Sequence, residues 1–391
     1  IYIRKLDFKS WIMDNLHKFI DLFAGIGGFR IPFEEMGAEC VFSSEWDKYS
    51  QLTYERNFGE KPRGDITKIP SSEIPDHDIL LAGFPCQAFS NAGKKLGFED
   101  TRGTLFFEIQ RILSDKRPKV FILENVKRLK THKGPDGRST FGVMLDVLEG
   151  RTSMKGVKKI KDLDITEEAK KALSIPLNYS VVWNIMSPSD YGIPQRRERL
   201  FIVGFDRDLF LPKDVDISEI LRWPSKWGND TRVGSILEHK LSPEDRRKCT
   251  ISARLWESHK DRKRRNKESG KGFGYSLYQP DDKKTGTISA RYYKDGAEIL
   301  ISNGKRKNGD EKPPRKLTPR ECARLQGFPE DFLLSESRNE AYKQFGNAVN
   351  VRVVRLLADS VLSAMKEISD LKSFKEKGLV RSAKSQMSLK I

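Results

Sequence analysis

FIDLFAGIGGFR, Phe19 to Arg30, reads as a short apolar strand that runs into a glycine-rich turn and then a helix. In that context a backbone can approach a ligand closely. Gly25, Gly27 and Gly28 supply the turn, but Arg30 stands at the third glycine position of GxGxxG, so the NAD or FAD fingerprint fails. Twenty residues beyond Gly25, Glu45 closes the next apolar run, ECVFSSE, where an acidic side chain can take both hydroxyls of a ribose. The expected ligand is a nucleoside without a pyrophosphate. S-adenosylmethionine fits: it has an adenosine, a methionine tail and a sulfonium cation that the ring of Phe23 or Trp46 could hold by cation–π attraction. Asp65, in GDIT and taken to follow a third strand, is placed to accept from an adenine amino group. On this stretch alone, a glycine turn packed for structural reasons stays open.

Outward from it, KFIDLF (18–23), ECVFSSE (39–45), DILLAGF (78–84), KVFILE (119–124), SVVWNIM (180–186) and RLFIVGF (199–205) read as strands. Stretches at helical spacing, such as GTLFFEIQRILSD (103–115), lie between them. That alternation predicts an α/β fold, a mostly parallel sheet with helices on both faces. The charged segment between Arg151 and Pro176 reads as a peripheral helix or insert. From Asp206 to Pro314 the alternation fades into loops, basic clusters and scattered aromatics, which predicts a second, smaller, loop-rich domain over 206–314 beside a first domain over 1–205. Helical periodicity returns over 315–370, expected to complete the first domain, and a basic tail over 371–391 is expected to be disordered.

The chain has 391 residues, 72 Lys and Arg against 55 Asp and Glu, and a net charge of +17. Such an excess favours a polyanionic partner, because each phosphate neutralised releases counterions. No apolar run reaches the ~20 residues of a membrane span. The first residues lack an apolar signal core and a small-residue cleavage site, so action in the cytoplasm is expected. Cys40, Cys86, Cys249 and Cys322 show no CxxC spacing, which argues against a disulfide framework and a zinc site, and the five histidines have no metal-ligand spacing.

Cys86, in GFPCQAFS and taken to follow a fourth strand, falls at the carboxyl edge where open α/β sheets bind ligands. A buried structural cysteine is the usual reading of a lone thiol, but two further features oppose it. ENV (124–126) puts a carboxylate on the same edge, where a partly buried Glu124 can act as an acid, and QRRER (195–199) adds clustered guanidiniums. FIDLFAGIGG, GFPCQAFS, ENV, QRRER, RKLTPRECARLQGFP and QFGNAV, in this order, resemble the DNA cytosine-5 methyltransferases over about 18–206 and 315–365.

The resemblance implies a Rossmann-like methyltransferase fold using S-adenosyl-L-methionine. It makes Cys86 the nucleophile and Glu124 the acid contacting the base, with Arg197 and Arg199 organising the base and the catalytic loop. Phe23, Ala24, Gly25, Gly27, Glu45, Trp46, Asp65, Ile66 and Asn347 would line the cofactor site, and no metal is implied. Ala92 stands where some relatives carry a serine, so the side chain that fills the gap left by a flipped base is open. Residues 206–314 match the family only loosely, as its target-recognition domain does. There Arg264 and Arg265 are read as phosphate contacts, and Tyr275, Arg291 and Tyr292 as base-proximal; Gln87 and Ser90 join them from the catalytic loop.

The implied partner is double-stranded DNA, met by a monomer in a prokaryotic restriction–modification system whose cognate endonuclease forms no stable complex with it. Two rivals remain. One is a tRNA cytosine-5 methyltransferase of the same type, whose Cys-Phe-Thr signature is absent where Cys249 is followed by Thr250 and Ile251. The other is a silent DNA-binding regulator, opposed by the intact Cys86, Glu124 and Arg197 set.

Overall fold

The computed structural model describes residues 16–84, 105–133, 137, 139–151, 165–228, 230–272 and 274–376. The six apolar runs form β1 (Lys18–Leu22), β2 (Glu39–Ser44), β3 (Ile79–Gly83), β4 (Val120–Val126), β5 (Tyr179–Met186) and β6 (Arg199–Asp206). They build one sheet in the order β2-β1-β3-β4-β6-β5. β1 to β4 are parallel, while β6 runs antiparallel between β4 and β5. Successive strand residues point to opposite faces. Accordingly Ile79 and Leu81 enter one core, and Leu80 and Ala82 the other. A strand apolar at nearly every position is what two covered faces demand.

Helix α1 (Arg30–Glu35) leaves the glycine turn, and α2 (Lys48–Phe58) follows β2 with Asp47 capping it, its carboxylate accepting from Ser50 N. Only two strands therefore precede β3, so Asp65 follows the second strand and the segment holding Cys86 follows the third. α3 (Leu105–Lys116) and α4 (Thr140–Leu148) cover one face through Phe106, Ile109, Ile112, Phe141 and Met144. The charged insert supplies α5 (Glu167–Ala172), which packs on α3: Ala169 is buried, and Glu168 takes a hydrogen bond from Arg111 at 2.7 Å.

The 206–314 stretch is less irregular than its composition suggests. Its basic run forms a 16-residue helix, α6 (Ala253–Glu268), started by Ser252 accepting from Leu255 N. Only Trp256 and His259 of that helix are buried, too few for an apolar stripe to show in the sequence. β7 (Leu277–Tyr278), β8 (Leu300–Ile301) and β9 (Arg315–Lys316) make a small second sheet. α7 (Pro319–Leu325) starts on a capping box between Thr318 and Glu321, and α8 (Arg338–Asn347) follows. The 26-residue α9 (Val351–Glu376) then returns to the main sheet and packs Val353, Leu357, Val361 and Met365 on the face opposite α3. A third core joins Ile26 and Ile31 near α1 to Ile236, Ile288, Tyr292, Leu317, Leu325 and Phe345.

This topology fixes the site. The chain leaves β1 for β2 on one side and crosses back to β3 on the other, opening a crevice beyond the carboxyl ends Leu22 and Gly83. Because β6 is reversed, its first residue comes to the same edge, with Arg199 opposite Val126.

Candidate active site

The glycine turn is held by β2. Ala24 N donates to Ser44 O at 2.9 Å, and Gly25 N donates to Glu45 Oε2 at 2.8 Å. Gly25 and Gly27 have φ of 57° and 83°, a region that costs a side chain, and a Cβ on Gly27 would lie 2.2 Å from the Phe58 ring. At Gly25 no atom of the described residues beyond its chain neighbours lies within 4 Å of where a Cβ would be, so this backbone faces open space among them. Phe23 adopts φ 57° without being glycine, a conformation costing about 1–3 kcal/mol that clusters at ligand sites.

Glu45 is 8% exposed, and its Oε1 accepts from Asp47 N at 2.8 Å. Burial pushes its carboxyl up, while the backbone N–H groups of Asp47, Gly25 and Trp46 pull it back. Each carboxylate oxygen keeps a lone pair for a ligand hydroxyl. Trp46 stands 74% exposed beside it. The chain next runs along the end of β2, with Glu45 N donating to Arg63 O at 2.8 Å, and brings Asp65 to the same edge. Asp65 caps the next turn, accepting from Thr67 N at 3.1 Å and Thr67 Oγ1 at 2.9 Å. Ile66 is only 2% exposed; its side chain lies in the core beneath the edge and does not line it. Asn347 is exposed at the end of α8.

Glu124, near the end of β4, is 8% exposed, and its Oε1 lies 3.0 Å from Arg199 Nε. Burial raises its carboxyl above the ordinary range, while the charges of Arg199 and Arg197 oppose that rise. Its neighbour Asn125 is fully buried and donates to Phe84 O at 3.2 Å, tying β4 to the residue just before Pro85. Cys86, Gln87, Ser90 and Ala92 lie outside the described residues.

Arg197 is buried and donates to three backbone carbonyls. Its Nη1 donates to Ile288 O at 2.9 Å, and its Nη2 to Gly346 O at 3.1 Å and Ala348 O at 3.0 Å. It thus joins the second region to the end of α8 at the edge of the site. The neighbouring backbone strengthens that junction: Arg196 N donates to Thr285 O at 3.0 Å and Thr285 N to Pro194 O at 2.8 Å, while Gln195 Oε1 accepts from Ile288 N at 3.2 Å. Sequence reading missed Gln195, Thr285 and Gly346 in these roles, since the partners lie far away in the chain, 93 residues for Gln195 and 149 for Gly346.

It also missed Asp21. This acid interrupts an otherwise apolar strand, which was the available signal. It is 1% exposed, neither carboxylate oxygen has a hydrogen-bond partner among the described residues, and burial pushes it well up.

Of the expected DNA contacts, Arg264 and Arg265 are exposed on α6, and Arg291 is exposed at the start of a short turn. Tyr275 is half-buried: its ring packs on Trp256 at 4.7 Å and lies under Lys263 Nζ at 4.3 Å. Tyr292 is a correction. It is completely buried, its hydroxyl donates to Ile299 O at 2.7 Å and accepts from Leu317 N at 2.7 Å, so it is a core residue out of reach of a base. Among the described residues no cluster of three His, Cys, Asp or Glu could hold a metal. No helix among them is long and apolar enough to cross a membrane.

A mainly parallel sheet that brings a glycine turn and two buried carboxylic acids, Glu45 and Glu124, to one edge has the plan of the Rossmann-like methyltransferases. Residues 17–150 and 154–363 match the family described as C-5 cytosine-specific DNA methylase. The chain belongs to that family, and its reaction is methylation of DNA cytosine at C5. It is 49% identical over 352 residues to the Type II methyltransferase M1.ScrFI of Lactococcus lactis subsp. cremoris, covering 90% of this chain and 79% of that one. The Type II methyltransferase M.HhaI of Haemophilus parahaemolyticus is 39% identical over 355 residues, covering 89% and 95%. Among solved structures, the Entamoeba histolytica methyltransferase EhMeth superposes with a TM-score of 0.63 over 89% of this chain and 98% of its own, at 19% identity, a likeness of fold. Methyltransferases of this kind depend in general on S-adenosylmethionine.

Proposed function

We propose that the chain methylates a flipped-out cytosine in a specific duplex DNA sequence, with S-adenosyl-L-methionine as donor, as the modification enzyme of a restriction–modification system. The observation that carries this reading is Glu124, buried and raised in pKa beside Arg199 on the edge that also presents the Gly25–Glu45 turn. The Type II names of the relatives support the restriction–modification role. We read 206–314 as target recognition and 1–205 with 315–370 as catalysis, in a monomer acting in the cytoplasm.

The turn suits the donor. Glu45 takes the ribose hydroxyls, Asp65 the adenine amino group, and the open face of Gly25 admits the ligand against backbone; Phe23 and Trp46 offer ring faces to a cation. The bound donor supplies an electrophilic methyl on a sulfonium. Cytosine C5 is a poor nucleophile, so the Cys86 thiolate adds at C6 while protonated Glu124 donates to ring N3, and the ring becomes an enamine nucleophilic at C5. After C5 gains the methyl, a water-derived base takes the C5 proton, the electrons of that C–H bond form the C5=C6 double bond as the C6–S bond breaks and the thiolate leaves, and N3 returns its proton to the Glu124 carboxylate, so that neutral, aromatic 5-methylcytosine results. Arg199 holds the Glu124 carboxyl in place. Arg197 is a positioning residue, acting through the backbone segments it joins. The base must leave the stack first, at a few kcal/mol.

Duplex DNA carrying 5-fluorocytosine at the target is the test, since fluorine at C5 cannot leave as a proton. With cofactor present, a denaturation-resistant adduct is expected with the native chain and none with Cys86→Ala. Its absence with the native chain would count against attack at C6.

A further inference from the structure

We propose that a basic cavity beside the Glu124 edge is a backbone-phosphate subsite that seats the DNA strand carrying the target cytosine. The proposal rests on the reading of Glu124 given above. The cavity, about 700 Å³, is lined by Lys127, Arg128, Lys130, Lys133 and, from β5, Ile185. It begins where β4 ends: a 3-10 turn over Lys127–Thr131 follows Val126 directly, three residues after Glu124.

The turn is a fixed platform. Leu129 is fully buried in the sheet core, and His132 is buried with Nδ1 2.8 Å from Thr140 Oγ1. Between these anchors Lys127, Lys130 and Lys133 are exposed and Arg128 half-buried. Lys130 is held with Nζ 4.4 Å over the Trp183 ring, which orders a side chain that would otherwise lose rotamer freedom on binding. Four cations thus fall within seven residues, and among the described residues they meet one carboxylate, Glu198, at 2.8 Å from Lys127 Nζ. Cations held together this way repel one another unless an anion sits between them.

The direction of the strand follows from charge. A cytosine presented to Glu124 brings its own phosphodiesters, which must leave the edge on one side or the other. Toward β1 and β2 they would meet Glu45, Asp65 and Asp47, the last paired with Lys343 at 3.1 Å and with Lys48 and Arg63 exposed nearby; toward β5 and β6 they meet Lys127, Arg128, Lys130 and Lys133, offset by Glu198 alone among the described residues. The second exit carries the larger excess of positive charge and so favours the phosphates. This contact is sequence-independent, so it would hold the strand while the exposed Arg291 and its neighbours choose the target.

The test uses the full chain, the target found by bisulfite sequencing of DNA from cells expressing it, and duplexes with a single methylphosphonate at each position of the methylated strand. For Lys130→Gln/Lys133→Gln, the slope of log affinity against log salt should fall by ~1.8, at about 0.9 per lost contact. KM for DNA should rise about tenfold, with kcat within twofold and cofactor affinity unchanged. One or two methylphosphonates that weaken the native protein should not weaken the variant further. Lys130→Arg/Lys133→Arg keeps the charge and should keep the native slope. Should the neutral pair fail to fold, Lys133→Gln alone, on an exposed side chain, should lower the slope by ~0.9.

A native slope and an unchanged phosphate pattern in the neutral variants would overturn the subsite. A native chain that leaves duplex DNA unmethylated would instead overturn the reading of Glu124, so the two failures are distinct.

Discussion

Replacing Gly346 by alanine is expected to disable the enzyme by parting two segments that both flank the active edge. An ideal Cβ at Gly346 would lie 2.3 Å from Ser289 C, 2.3 Å from Ser289 O and 2.4 Å from Ala290 N. Ordinary contact begins near 3.4 Å, so the loop or the helix must move by roughly 1 Å. The neighbour is backbone and cannot rotate away. Two terms oppose each other. Gly346 lies inside α8, where alanine improves helix propensity by about 0.5–1 kcal/mol. Against it stand about 1–3 kcal/mol of overpacking and the loss or stretching of the Arg197 bond to Ile288 O, which as a charge-assisted contact contributes about 1.5–3 kcal/mol. Steric cost wins, with a net loss of about 2–5 kcal/mol. Chemical denaturation should show that loss in midpoint, and kcat/KM for DNA should fall by at least tenfold while Glu45 and the glycine turn still bind cofactor. A Gly346→Ala protein of native stability and native kcat/KM would refute the reasoning, because it would mean that the loop over 285–291 does not bear on α8.

Glu124→Gln should cut single-turnover methylation by about 10²–10⁴ while DNA binding persists. Burial holds this carboxyl raised, so the native rate should fall as pH rises through its pKa, where the acid form is lost, and a pH profile of Glu124→Gln should lack that alkaline limb. Glu45→Ala should weaken cofactor binding by about 1.5–3 kcal/mol in calorimetry, since it loses the ligand's partner and also the acceptor for Gly25 N and Asp47 N; unchanged affinity refutes the placement. Tyr292→Phe should lower stability by about 1–3 kcal/mol and leave target choice intact. Arg291→Ala should do the reverse, relaxing discrimination at one base by about 1–3 kcal/mol if its contact is bidentate to guanine, as read by methylation of a randomised-site library. The opposite pattern for this pair would reassign them.

The sheet and the ends of its strands were legible in the sequence, because a strand covered on both faces must be apolar throughout and shows itself by composition. The Gly25 turn, Glu45 and Glu124 were legible for a related reason: each sits at the end of such a run, and parallel strands gather those ends on one edge. Tertiary structure alone decided how residues far apart in the chain share a contact. Arg197 and its carbonyl partners are separated by 91, 149 and 151 residues, and no local pattern encodes which carbonyl a guanidinium will reach. Neighbours in one run, Arg291 and Tyr292, took opposite fates, solvent and core, because a turn has no fixed period from which to read its buried side. α6 hid for want of an apolar stripe, its burial resting on Trp256 and His259 alone. Local periodicity reports what a segment buries when its whole face is covered; where a single side chain or one glycine makes the contact, only the assembled chain determines it.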